Sequence, residues 1–389
     1  MEHAVPSRLH GLDTLRALAI VAVMFFHLSG RLPDRVASVT QFGWMGVDLF
    51  FVLSGYLIGS QLLKPYASGA RAHMWEFYRR RLYRILPGYL VVLALYFLMP
   101  VWREQPGISP LWQFLTFTEN LFVDYGKNQA FSQVWSLCVE EHFYLLLPIL
   151  VLWFMRKPAL WKTVSALMLF VGLGILIRGY VLLHVLRPLS LGGREIGVSY
   201  IEHIYYPTYT HVDGLLAGVS LALVKLFRRD WWSAAARRGH ALFFSGAGLI
   251  GLSVWLFVGR AESVTGAAAA GTVVGFPLLS LGLGLVVASS ISSNGWLARV
   301  RIPGAKLVAI LAFSLYLTHK EVMHLDEKYL PSIVNAGLWH SLCFYAITCL
   351  AAAAALYQGV ERPFLILRDR KFSGAKSNPE LEAATEPAL

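Results

Sequence analysis

Ten apolar stretches of roughly bilayer-spanning length recur along this chain, and no other feature of the sequence restricts its fold as strongly. They lie near 12–29, 43–63, 86–101, 135–155, 161–183, 208–227, 240–258, 267–290, 307–324 and 337–357. The third is short, and Pro110–Val123 reads as an interfacial or re-entrant helix rather than a span. Hydrophobic residues make up 56% of the 389 positions and charged residues only 15%. Soluble proteins average about 45–50% and about 25%, so both figures depart from water-soluble composition in the same direction. A soluble enzyme, a disordered tail protein and a disulfide scaffold are excluded. The expected fold is all-α, a polytopic integral membrane protein of about ten transmembrane helices.

The basic residues set an orientation. With the N-terminus placed inside, the cytoplasmic segments hold 23 of the 34 Lys and Arg, the outer segments hold 8, and Arg16, Arg178 and Lys320 sit within spans. The bias alternates at every crossing, as the positive-inside rule requires, and puts both termini in the cytoplasm. The net charge of +11 is then chiefly a topology signal. It forms no continuous stripe of the kind that binds nucleic acid. Cys138, Cys343 and Cys349 lie in apolar stretches without metal-ligand spacing, so neither a disulfide framework nor a metal site is expected. Asp13 and Arg16 lie inside the first apolar stretch, which argues for a retained span rather than a signal peptide. We read one domain over 1–370 and a loose polar tail over 371–389.

Charges inside the spans are the informative residues. Asp, Lys or Arg near the bilayer centre costs about 2.5–3.5 kcal/mol on insertion scales, so such residues must face inward and pair. Arg16 and His27 are separated by 11 positions, which returns a helix to within about 20° of its starting direction and about 16 Å along its axis. Asp13, three residues before Arg16, is spaced for an ion pair. Asp13 and Lys320 are close enough to span ends to be read equally as interfacial. Asp48, Asp213 and His319 add further polar groups to the interior.

Two motifs carry more chemistry. Arg79, Arg80, Arg81 and Arg84 in EFYRRRLYRILP (76–87) sit on the cytoplasmic loop before the third span and exceed what orientation needs. Guanidinium forks suit phosphate oxygens, which fits coenzyme A or an anionic lipid headgroup. In WSLCVEEHFY (135–144), Ser136, Glu140 and Tyr144 follow i,i+4 spacing and line one face, with Glu141 beside them. The outer loop 184–207, with Tyr200, Glu202, His203, Tyr205 and Tyr206, offers aromatic faces to a sugar ring or to the membrane interface.

Taken in order, LDTLRALAIVAVMFFH (12–27), GWMGVDLFFVLSGYLI (43–58), RRRLYRILPGY (79–89), WSLCVEEHFYLLLP (135–148), HVDGLLAGVSLA (211–222), FSLYLTHK (313–320) and ERPF (361–364) resemble the motif series of the acyltransferase-3 family. Arg16, ten intervening residues and His27 reproduce that family's hallmark, and Arg81 with Arg84 its RxxR. The chain departs from many relatives at His211, where they carry Arg, and at Thr318-His319-Lys320, where they carry Trp-His-Trp/Pro.

The resemblance implies a membrane O-acyltransferase of the cell membrane of a bacterium. It would move an acyl group, commonly acetyl, from cytosolic acyl-CoA, a cosubstrate rather than a resident cofactor, to a hydroxyl of a cell-surface or exported glycan. It also implies a stand-alone member, without the esterase-like domain that some relatives append. His27 would act as general base, and Glu140 or Glu141 would orient the histidine or the acceptor, with Glu140 favoured by the face it shares with Ser136 and Tyr144. Arg81, Arg84, Arg80 and Arg16 would hold the donor, with Asp13 supporting Arg16. Acylation of a diffusible compound such as a macrolide is the alternative acceptor class. A transporter is the alternative function, although no related halves are evident.

Overall fold

The computed structural model describes residues 10–156, 159–189, 193–258 and 266–372. Among them no strand occurs, and the long helices fall where the apolar stretches lie. We label them α1 (His10–Leu28), α2 (Met45–Ala67), α3 (Met74–Leu98), α4 (Val134–Arg156), α5 (Leu160–Val181), α6 (Asp213–Phe227), α7 (Gly239–Phe257), α8 (Phe276–Ser290), α9 (Ala305–Tyr329), α10 (Leu338–Leu356) and α11 (Arg362–Phe372). By length and composition, eight described helical segments are long and apolar enough to cross a membrane. Of the other two stretches, α6 is only 15 residues long. α9 has its apolar run broken by His319, Lys320 and Glu321.

Three boundaries differ from the sequence reading. The third helix is not short: α3 runs for 25 residues, with Pro87 in its interior, so the arginine cluster lies on a helix rather than a loop. Pro is tolerated inside a spanning helix because neighbouring groups re-satisfy the freed carbonyl. At its other end α3 stops before Pro100, with Met99 out of the helical region that a following proline disfavours. The sixth helix starts at Asp213 instead of 208, because Thr208–Thr210 form a separate 3₁₀ turn. Lys371 and Phe372 still belong to α11, and the rest of the expected tail lies outside the described residues. Pro110–Val123 forms two short helices, Leu111–Leu115 and Glu119–Phe122, which bury Gln113, Phe114, Glu119 and Asn120.

α5 shows which surface faces hydrocarbon. It buries Gly174, Arg178 and Val181, while Leu176 is 70% exposed and Leu169 69%. Such continuous apolar exposure matches lipid rather than water. Close backbone packing joins α2 to α6. A Cβ on Gly218 would lie 2.2 Å from the Val52 carbonyl oxygen, and one on Gly55 would lie 2.2 Å from that of Leu215. Small residues at such crossings let backbones approach where the bilayer supplies no hydrophobic drive for helix association. This contact fixes the sides of α2 and α6 that carry Asp48 and Asp213.

Candidate active site

A cavity of about 310 Å³ opens beside His27, lined by α1, α2, α4 and α9 and by the segments that precede α2, α4 and α6. Aromatic faces dominate it: Trp44, Trp135, Tyr200, Tyr205 and Tyr206 contribute, and Trp135 stacks on Tyr206 at 5.1 Å with planes 7° apart. Gln105, Gln129, Gln133 and Ser132 supply polar edges, while Glu104, Lys320 and His27 bring charge or titratable groups. The outer tyrosines expected to meet a sugar therefore do line a cavity. Glu202 instead accepts a hydrogen bond from the Tyr125 amide at 2.7 Å, and His203 bonds within its own helical turn.

His27 Nδ1 lies 3.0 Å from the Val23 carbonyl oxygen and 3.0 Å from His319 Nε2. His319 is fully buried, and its Nδ1 sits against the Leu315 and Tyr316 carbonyls at 2.9 and 3.0 Å. On the adjoining turn of α9, Lys320 Nζ reaches Glu104 Oε1 at 2.7 Å and Ser132 Oγ at 2.8 Å. Glu104 also accepts from the Tyr96 hydroxyl at 2.8 Å and the Phe131 amide at 3.1 Å. Burial works to raise the Glu104 carboxyl, but the Lys320 ammonium, a backbone amide of its own residue and the Tyr96 hydroxyl hold it below the usual carboxylate range. The Tyr96 hydroxyl oxygen also lies against Glu321, which accepts from Gln133 Nε2 at 2.9 Å.

Glu140 and Tyr144 meet as their spacing predicts, at 2.9 Å, and Ser54 Oγ donates to the other oxygen of Glu140 at 2.7 Å. These bonds take Glu140 away from His27; it does not line the cavity, and His319 is the residue in contact with the histidine. Ser136, the third member of that α4 face, pairs with the Tyr316 hydroxyl, which lines the cavity and donates to the Gln133 carbonyl at 2.8 Å. Gln133, Ser136, Glu140 and Tyr144 thus form a polar column leading from the cavity towards Arg81, whose guanidinium lies 5.0 Å from the Tyr144 ring centroid. Glu141 is half-buried beside Glu140, within electrostatic reach of Arg81.

The arginines of α3 divide by environment. Arg84 is buried, and the charges acting on it are those of Arg81, Glu361, Arg16 and Arg368. Arg16, which lies 3.7 Å from Asp13, is thus within electrostatic reach of Arg84. Arg80 is held by Glu76 at 2.8 Å and lies over the Phe372 ring at 5.1 Å, so its charge is already engaged within the protein. Glu361, on a π-helical turn (Tyr357–Glu361), accepts from Ser314.

The other intramembrane acids pair structurally. Asp48 Oδ1 lies 2.9 Å from His211 Nε2, and His211 Nδ1 faces the Tyr205 carbonyl at 2.6 Å, so Asp48 acts through His211 on the cavity wall. Asp213 forms a bidentate pair with Arg178 at 2.7 and 3.3 Å; Arg178 also donates to the carbonyls of Thr210 and Val273. Glu104, Gln133, Tyr316 and Glu321 were not singled out from the sequence. The three consecutive polar residues His319, Lys320 and Glu321 inside an apolar helix were the available signal; Glu104, in a polar loop, offered none.

An acyltransferase-domain family model, acyltransferase-3, matches residues 9–358. The peptidoglycan O-acetyltransferase OatA of Listeria monocytogenes is 26% identical over 373 residues, which cover 90% of this chain and 55% of the relative. A putative peptidoglycan O-acetyltransferase of Bacillus subtilis, YrhL, is 26% identical over 381 residues, 93% of this chain and 56% of the relative. The O-acetyltransferase OatA of Staphylococcus aureus is 26% identical over 234 residues, 56% of this chain and 35% of the relative. The chain spans about half the length of the first two curated relatives. No solved structure matches. With the family model covering nearly all of the described helices, the chain belongs to the acyltransferase-3 family.

Proposed function

We propose that this protein is a bacterial cell-membrane O-acyltransferase that moves an acyl group, acetyl by analogy with its relatives, from cytosolic acyl-CoA to a hydroxyl of a cell-surface or exported glycan. The observation that carries this reading is His27 on the wall of a cavity whose other surfaces are aromatic rings and amide edges, the chemistry that holds a sugar. In this reading His27 Nε2 removes the acceptor hydroxyl proton as the oxygen attacks the thioester carbonyl. The C–O bond forms, the C–S bond breaks, and the departing CoA sulfur takes the proton back from the imidazolium. Arg16, Arg81 and Arg84 sit at the opposite end of the polar column, where guanidiniums suit the phosphates of the donor. Glu140 with Tyr144 faces Arg81 and serves that end rather than the histidine.

The test uses the full chain in proteoliposomes supplied with radiolabelled acetyl-CoA and a soluble peptidoglycan oligosaccharide, followed by mass spectrometry of the product. Wild type should add acetyl ester to the glycan, and His27→Ala should lower turnover at least about 10²-fold, the low end for loss of general base catalysis. A folded His27→Ala protein with wild-type turnover, or labelled substrate crossing the bilayer without covalent change, would overturn the proposal.

A further inference from the structure

The pairing of His27 with His319 assigns protons to both rings. Carbonyl oxygens only accept, so His319 Nδ1, which faces the carbonyls of Leu315 and Tyr316 at 2.9 and 3.0 Å, must carry a hydrogen. In the neutral ring His319 Nε2 is then a lone pair. That lone pair lies 3.0 Å from His27 Nδ1, which also faces the Val23 carbonyl at 3.0 Å. Both neighbours of His27 Nδ1 are acceptors, so Nδ1 is the protonated nitrogen and Nε2 is left with the free electron pair.

We propose that His319 is the positioning residue of the transfer site, an uncharged acceptor that holds His27 in its Nδ1–H tautomer and supports the imidazolium formed when His27 takes a proton. This deepens the acyl-transfer reading and rests on it. In many acid–base sites a carboxylate has this role. Here the nearest candidate by sequence, Glu140, is committed to Ser54 and Tyr144. Glu104 is committed to Lys320, Tyr96 and the Phe131 amide. The His319 ring is itself held firmly. It is fully buried, and the next two residues of α9 are tied to other elements through Ser132, Glu104, Tyr96 and Gln133. Because the Val23 carbonyl also faces Nδ1, losing His319 removes one of two acceptors, and a partial loss of rate is expected rather than abolition.

The experiment compares His319→Leu, which removes the acceptor, with His319→Gln, whose amide oxygen can replace Nε2. Both are assayed for kcat and for KM towards acetyl-CoA in proteoliposomes, with apparent melting temperature as the control for folding. His319→Leu should lower kcat about 10- to 100-fold with KM changed less than about two-fold, and His319→Gln should restore kcat to within about five-fold of wild type. Wild-type kcat in His319→Leu, or equal loss of kcat in both variants at equal melting temperature, overturns the inference. If His319→Leu does not fold, His319→Gln decides alone: kcat within five-fold supports the inference and a greater loss ends it. An inactive His27→Ala beside an unaffected His319→Leu refutes only this inference, whereas an active His27→Ala refutes the transfer reading itself.

Discussion

Removing one member of the Lys320–Glu104 pair should cost far more than removing both. The Lys320 side chain is 13% exposed and that of Glu104 10%, and the two meet at 2.7 Å on the cavity wall. Glu104→Gln leaves Ser132 as the ammonium's one hydrogen-bond partner among the described residues and weakens the acceptor for Tyr96 and the Phe131 amide. Breaking a buried pair from one side typically costs about 3–5 kcal/mol. Because the pair keeps about a tenth of its surface exposed, solvent screening should bring the loss just below that range, to about 2–3 kcal/mol. The double variant Glu104→Gln/Lys320→Met removes both charges and should lose less than about 1 kcal/mol, so that two single losses of about 2–3 kcal/mol imply a coupling of about 3–5 kcal/mol in a double-mutant cycle. Apparent melting temperature in detergent, followed with a thiol-reactive dye, reads this directly. Cys138 and Cys349 are buried and report unfolding, and exposed Cys343 sets the baseline. Additive losses in the double variant would refute the pairing argument.

Three further outcomes follow from the same geometry. The lowered Glu104 carboxyl contributes stability that is present above the unfolded carboxylate range near pH 4.3 and is lost as pH falls through the lower folded value. Wild type should therefore lose melting temperature more steeply than Glu104→Gln below about pH 4, and parallel curves would contradict this. Glu119, outside the spans, has the opposite sign: burial pushes its carboxyl up to about 8, so its ionisation opposes folding increasingly as pH rises from the unfolded range towards 8. Glu119→Gln should gain stability over wild type by several °C at pH 8 and little at pH 5, and a pH-independent difference would refute it. Gly218→Ala should destabilise by at least about 1–3 kcal/mol, because its Cβ meets a backbone oxygen that cannot move alone. Gly248→Ala, with open space around it, serves as the neutral control. Monodisperse wild-type-like Gly218→Ala protein on size-exclusion chromatography would disprove the tight α2–α6 contact.

Much of the fold was legible because a bilayer imposes a length and a polarity on each span independently of the others. The apolar runs predicted the helices, and errors gathered where local signals mislead, such as Pro87, which reads as a helix start but lies inside α3. Local periodicity also placed Arg16 with His27 on one side of α1 and Glu140 with Tyr144 on one side of α4, and the structure keeps the second pair in contact. The assignment of Glu140 to the histidine was beyond that kind of evidence. Spacing says which residues share a face but not which face another helix presents to it.

Sequence alone therefore determined the helices, the asymmetry of basic charge, the family motifs and the polar residues that must turn inward. Only the tertiary structure decided their partners. His27 meets His319 from 292 positions away, Asp48 meets His211 from 163 away, and Lys320 finds Glu104 in a loop with no motif of its own. Those choices depend on the rotation and depth at which helices pack. Close contacts such as Gly218 against Val52 fix both, and they are properties of paired surfaces rather than of any one segment.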